Sequence, residues 1–247
     1  MAIYLYDGTW ETYLTLIYTL TFDTEETSPN GKVYNLRLSK RVPLPLFGER
    51  IEASEPKVKG IKEYIGKFGD KSLLKDIYHW YLCDRAGLEI PLAKCLRKLK
   101  DDPKVFYRPH LTEAVQLQKA KRALFRERHR WLGLLRFFSP EKGVLLAYFE
   151  PENNVLPIIG NHFIKRFPME RIVIVDTLRG ILFLGQNGKF QLLFLEEWEI
   201  NIKAIKDPFV ELWRTYFKEI AVPERINQDR QKRKVPLKLR AFLPEFL

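Results

Sequence analysis

The chain has 247 residues, 46% hydrophobic and 13% aromatic, which excludes the disordered class and allows a sizeable core. Lys and Arg number 42 against 31 Asp and Glu, a formal charge of +11. That excess favours phosphate-rich partners, either nucleic acid or an anionic membrane. Two cysteines, Cys83 and Cys95, exclude a disulfide framework, and no apolar run approaches the ~18 residues of a membrane span.

In chain order, AIYLY (2–6) reads as a strand that stops at Asp7-Gly8. Thr9 is placed to cap a helix through about Phe22, with Trp10, Leu14, Ile17 and Tyr18 on one face. A polar, turn-prone stretch (DTEETSPNG) leads to a short strand around KVYNLRLS, and residues 41–55, with Pro43 and Pro45, read as a loop. Three segments then space their apolar residues at i, i+3 and i+4: PKVKGIKEYIGKFG, KSLLKDIYHWYLCD and EIPLAKCLRKLKDD. A further helix starts near Leu111 and runs to about Trp131. RFFSPEKGVLLAYFEP reads as two strands around a Pro/Gly turn, and VLPIIGNHFIKRF as a short helix entered at Pro157. RIVIVDT, GILFLG and FQLLFL follow as three β-rich runs. The last clear helix spans about 208–220, capped by Asp207, with Phe209, Leu212, Trp213, Tyr216, Phe217 and Ile220 as an apolar stripe expected to pack in the core.

These elements predict an α+β fold. Its antiparallel sheet combines the N-terminal strand with strands in 133–195 and packs against helices. The whole chain, 1–247, is read as a single domain with a helical insertion at 56–110. No internal repeat and no low-complexity linker interrupts it.

The positive charge concentrates in two places. In KAKRALFRERHR (119–130), Lys119, Arg122, Arg126 and Arg130 fall within one narrow arc at 100° per residue. Leu117, Leu124 and Trp131 lie across from them, on the side that faces a core. Guanidinium forks suit phosphate oxygens, because two N–H groups engage one phosphate. Lys121 and Arg128 break the pattern, since both fall in the apolar sector. Either they pair with buried carboxylates or the helix ends before Arg128. The plain alternative is a solvated surface helix. The second concentration is RINQDRQKRKVPLKLR (225–240), where Ile226, Val235, Leu237 and Leu239 alternate with cations. Apolar anchors between basic side chains suggest a strap that lies on the protein and displays Lys232, Arg233 and Lys234. The stretch lacks the broad apolar face of an interfacial helix, so nucleic acid is favoured over membrane.

The segments YLYDGTWETYLTLIY (4–18), HRWLGLLRF (129–137), LAYFEPENNVLPIIGNHFIKRFP (146–168) and ELWRTYFKEIAVPERINQDRQKRKVPLKLRAFLPEF (211–246) resemble an uncharacterised bacterial family described as a probable DNA-metabolism protein. Leu239 or Arg240 stands where members often carry an aromatic residue. The resemblance implies DNA as partner, together with a radical-SAM protein thought to modify or repair DNA. A similar domain is also found fused to uracil-DNA glycosylase-like domains. No catalytic residue comes with the resemblance.

A radical-SAM cluster needs three closely spaced cysteines, and the chain has two, far apart. Walker-type glycine loops, H-E-x-x-H and a nucleophile elbow are also missing from the sequence. His79 and Cys83 share a helix face without a second ligand pair, so no metal and no cofactor is expected. Candidate catalytic residues are His129, beside Arg130, and His162, followed by Lys165 and Arg166 and preceded by Glu150 and Glu152. Asp7 reads as turn chemistry ahead of a metal ligand. Tyr148, Trp213, Tyr216 and Phe217 offer rings that could stack bases, although their spacing favours core packing for the last three.

The leading expectation is a cytoplasmic accessory DNA-binding protein in DNA repair or modification, acting with the radical-SAM partner. Its phosphate contacts are Lys119, Arg122, Arg126, Arg130, Arg136, Lys165 and Arg166, with Lys232, Arg233 and Lys234 on the strap. The alternatives are a small hydrolase acting on DNA or a damaged nucleotide, and a protein-binding adaptor without DNA affinity.

Overall fold

A computed structural model describes residues 2–24, 32–36, 45, 47–84, 87–195, 208–219 and 228–246. The polar stretch 25–31, Pro43, the Asp207 cap and Ile226 lie outside the described residues. The chain forms two compact units, Met1–Arg126 and Glu127–Leu247.

In the first unit, strand β1 (Ile3–Tyr6) alternates half-buried and buried positions and ends at Asp7-Gly8. The Asp7 carboxylate accepts from the Thr9 N–H and hydroxyl, and the Thr9 hydroxyl accepts from the Thr12 N–H at 3.2 Å. This side-chain cap starts helix α1 (Trp10–Tyr18). The helix widens into a π-helical turn, Thr19–Asp23, whose carbonyls meet the Arg97 guanidinium. Arg97 donates to Leu20 O, Thr21 O, Thr24 O and Thr24 Oγ1 at 2.7–3.0 Å. Strands β2 (Lys32–Asn35) and β3 (Glu49–Ile51) flank β1 on either side. Helices α2 (Glu55–Phe68), α3 (Leu73–Tyr81) and α4 (Glu89–Lys98) follow. Leu14, Leu16, Ile17, Ile61, Ile77, Trp80 and Leu92 make the core, each essentially without exposed surface. Burying each such side chain contributes about 1.5–3 kcal/mol.

Helix α5 (Thr112–Leu134) carries the chain from the first unit into the second. There, strand β4 (Val144–Phe149) is followed by helix α6 (Leu156–Arg166), strands β5 (Arg171–Asp176), β6 (Ile181–Gln186) and β7 (Lys189–Phe194), and helices α7 (Pro208–Glu219), α8 (Gln228–Lys234) and α9 (Leu237–Arg240). The sheet order is β4-β5-β6-β7. Asn187 (φ 51°) and Gly188 (φ 76°) form the two-residue turn between β6 and β7, a conformation that matches the twist of a hairpin. Helix α6 lies close to the sheet because Gly160 has no Cβ, and an added one would run into the Phe183 ring.

The α+β class holds, and the single antiparallel sheet is corrected. The N-terminal strand belongs to a separate three-stranded sheet, β2-β1-β3, in which all neighbours are parallel. A parallel neighbour requires a crossover, and α1 supplies it between β1 and β2. In the second sheet β4 is parallel to β5, for the same reason, with α6 between them. Among the described strands, β5-β6-β7 is the antiparallel part, joined by tight turns. The expected strand at RFF reduces to one bridge between Phe138 and Leu146. Residues 41–55, read as a loop, contain β3. Among the described residues no helix is long and apolar enough to cross a membrane.

Candidate nucleic-acid interface

Helix α5 carries six Lys and Arg and two acids. Lys119, Arg122, Arg126 and Arg130 are exposed, and none forms an ion pair with a carboxylate among the described residues. The Arg122 Nε donates to Gln118 O at 3.3 Å, a contact within the helix that leaves its charge free. Leu117, Leu124 and Trp131 are buried opposite this arc. Both acids are engaged elsewhere. Glu113 pairs with Lys94 at 3.5 Å, and Glu127 accepts the N–H groups of Glu152 and Asn153 and the Asn153 side-chain amide at 2.6–2.9 Å. The unpaired charge of the helix is therefore positive.

The two cations in the apolar sector have separate fates. Lys121 sits 2.5 Å from Asp76, a carboxylate only 5% exposed, with the His79 ring 3.8 Å from the same carboxylate. Burial and the Lys121 charge hold His79 below its usual range. Arg128 is half-buried, and the helix continues past it to Leu134.

The turn after β4 is fastened from two sides. Besides Glu127, the Arg179 guanidinium donates to Pro151 O at 3.1 Å and Glu152 O at 2.8 Å, and is itself held by Asp176 at 2.7 Å. Burial pushes the Asp176 carboxyl up and the Arg179 charge pulls it back. The fixed turn leads into α6, where Lys165 and Arg166 are exposed in the last turn and the Arg166 guanidinium lies 5.6 Å from the Phe167 ring centre. His162 is half-buried, and burial with the neighbouring Arg128 and Arg166 charges lowers its pKa.

Arg136 differs from the expectation. It is half-buried, paired with Glu245 at 2.8 Å, and its guanidinium lies 5.3 Å from the Trp213 ring centre. It is spent on internal contacts, 109 residues along the chain. The strap is also different in form. Its described part is helical, α8 then α9, with Lys232, Arg233 and Lys234 exposed. Leu239 anchors it, only 3% exposed, Val235 is half-buried, and Leu237 is exposed. The apolar stripe of α7 does not pack in the core at its described side chains: Leu212 is 65%, Trp213 37% and Tyr216 54% exposed. The side chains of Phe209 and Phe217, and residue Ile220, lie outside the described set.

His129 and Glu150 are exposed, and no side-chain hydrogen bond or ion pair joins either of them or His162 to another residue, among the described residues. The three stand on α5, the turn after β4 and α6, and among the described residues no hydrogen bond joins any two of them. Among the described residues no group of three or more His, Cys, Asp or Glu could hold a metal ion. Cys83 and Cys95 are buried thiols, and burial raises Cys95 to about 12. Asp7 is occupied by the α1 cap.

The family of domains of unknown function called DUF4130 matches residues 88–245. The chain belongs to this family. No curated protein and no solved structure matches it. The DUF4130 region runs from α4 to the C-terminal turn and contains every candidate phosphate contact. It also contains Glu127, Asp176 and Arg179, which the sequence reading passed over. A lone acid inside the basic run RERHR, and an Asp and Arg three apart across a turn, are the signals that mark them.

Proposed function

We propose that this DUF4130 protein is a cytoplasmic DNA-binding accessory that grips backbone phosphates along the exposed arc of α5 and acts beside a DNA-repair or DNA-modification enzyme. The observation that carries the reading is the sorting of charge on one helix. Lys121, on the buried side, has a carboxylate partner, while Lys119, Arg122, Arg126 and Arg130 have none among the described residues. A row of guanidinium groups one helical turn apart, without internal counter-ions, is suited to a polyanion whose phosphates repeat. Lys165 and Arg166 on α6 and Lys232 to Lys234 on α8 are exposed cations of the same kind. The resemblance to a family described as a probable DNA-metabolism protein supports DNA as the polyanion and a radical-SAM protein as the partner. Contacts of this type fix position without reading sequence, so binding is expected to be largely sequence-independent.

The test is the triple replacement Arg122→Ala, Arg126→Ala, Arg130→Ala, read by duplex DNA binding across a salt series. Each phosphate contact contributes about 0.9 to the slope of log K against log salt, so the variant should lower the slope by about 3. Affinity at low salt should fall about tenfold or more, with an unchanged unfolding curve. Unaltered affinity and slope would show that α5 is only a solvated surface.

A further inference from the structure

Resting on the DNA-binding reading, we infer that the exposed face of α7 is a stacking platform for the unpaired bases of a single DNA strand, with Trp213 and Tyr216 as the stacking rings. A large apolar ring left in water forfeits its hydrophobic contribution, so a cluster of them marks a contact surface. Here Trp213 and Tyr216 lie three residues apart on one face, ring centres 5.7 Å apart and planes 33° apart, with Leu212 beside them. The indole is not free to turn. Its Nε1 donates to Glu245 Oε2 at 3.1 Å, and the same carboxylate holds the Arg136 guanidinium, which lies 5.3 Å from the indole centre. A ring fixed at its edge and backed by a cation is preorganised to receive another flat ring.

The charge around the platform selects the occupant. The 3-10 turn Pro244–Phe246 that presents Glu245 also places Phe246 under the Arg240 guanidinium, 4.6 Å from the ring centre. Arg240 donates to Val235 O and reaches Gln231 on α8, whose last turn is Lys232, Arg233 and Lys234. Those three lysine and arginine side chains are exposed and have no carboxylate partner among the described residues. The acids on these elements with described side chains are Asp229, Glu219 and Glu245, the last already shared by Arg136 and Trp213. Rings for bases flanked by cations for phosphates are the two components of sequence-tolerant single-strand binding. A protein partner would leave those cations unmatched unless its surface were acidic. A duplex would hide its base faces and gain nothing from the rings.

The deciding experiment compares the full chain with Trp213→Ala/Tyr216→Ala on oligo(dT) and on a hairpin duplex, with Trp213→Phe/Tyr216→Phe as the variant that keeps both rings. The alanine variant should lose about tenfold to a hundredfold in oligo(dT) affinity and change duplex affinity less than about twofold. The phenylalanine variant keeps both rings and loses only the indole N–H bond to Glu245, so its loss should be clearly smaller than that of the alanine variant, which separates loss of stacking from loss of fold. Unchanged oligo(dT) affinity in the alanine variant overturns the platform. So does a concentration-dependent dimer of the wild type that the alanine variant abolishes while oligo(dT) binding persists, because the face is then an interface between copies. If the duplex is bound through α5 and only the ring replacements are silent, this inference fails alone. If the wild type binds neither DNA, the DNA-binding reading fails with it.

Discussion

Glu89 is a carboxyl group buried at the start of α4, with Tyr6 donating to it and its own N–H and that of Gly87 turned toward it. Its Oε2 has no hydrogen-bond partner, and neither has the nearby Tyr13 hydroxyl, among the described residues. Burial outweighs these donors and lifts the carboxyl from 4.5 to about 7. Between those two values the folded chain binds more protons than the unfolded one, so stability falls as pH rises through the window. The shift corresponds to about 3 kcal/mol, present below pH 4.5 and lost by pH 7. Glu89→Gln keeps the shape and removes the titration. The gap in unfolding free energy between variant and wild type should therefore move in the variant's favour from pH 4.5 to 7.5. Urea melts at several pH values measure that gap, and a constant gap would mean that Glu89 is solvated. Buried Tyr6 and Tyr13 sit in the same cluster, and burial followed by the Glu89 charge raises both hydroxyls, so at neutral pH they remain protonated.

At the scale of elements, α6 is the piece whose seating is tightest. Gly160 faces Phe183 on β6, and Gly185 of the same strand faces Ile164 of the helix. Neither position has room for a methyl group unless a buried ring or side chain shifts. Gly160→Ala should therefore destabilise the protein by about 1–3 kcal/mol, despite the better helix propensity of Ala. Thermal or denaturant unfolding checks this, and a stabilised variant would show that the helix can lift from the sheet at little cost. Helices α2 to α6 were legible in the sequence because their apolar residues recur at short range, and the Thr9 cap because its partners lie within five residues. Strand direction was not legible. Ile3 pairs with Lys32 and Tyr4 with Glu49, and nothing within a strand states which neighbour it takes or in which sense. The α7 stripe misled for a related reason. Periodicity identifies an apolar face but not whether another element covers it, and Trp213 and Tyr216 are exposed.

For the whole molecule, net charge raised the expectation of a polyanionic partner, while the use of each cation depended on distant residues. Arg122 and Arg126 follow from helix phase alone. Lys121 could be assigned only with Asp76, 45 residues away, and Arg136 only with Glu245, 109 away. Such pairings arise in three dimensions, which is why one expected phosphate contact is an internal brace. With four arc cations on α5, two on α6 and three on α8, duplex binding should show a log–log salt slope of about −8. The α5 triple variant should then retain about two thirds of it.

The Arg97 clasp has a bearing on how the protein can be cut. The family match starts at residue 88, within the first compact unit and just ahead of α4. Arg97 on α4 holds carbonyls of residues 20, 21 and 24, all upstream of that start. A fragment trimmed to 88–245 would strip α4 of the segment its guanidinium clasps and leave Leu92, Cys95 and Leu96 facing water. The excised piece should express poorly or melt well below the full chain, which parallel melting curves would reveal. An equal melting temperature would mean that the family segment folds without its N-terminal cradle.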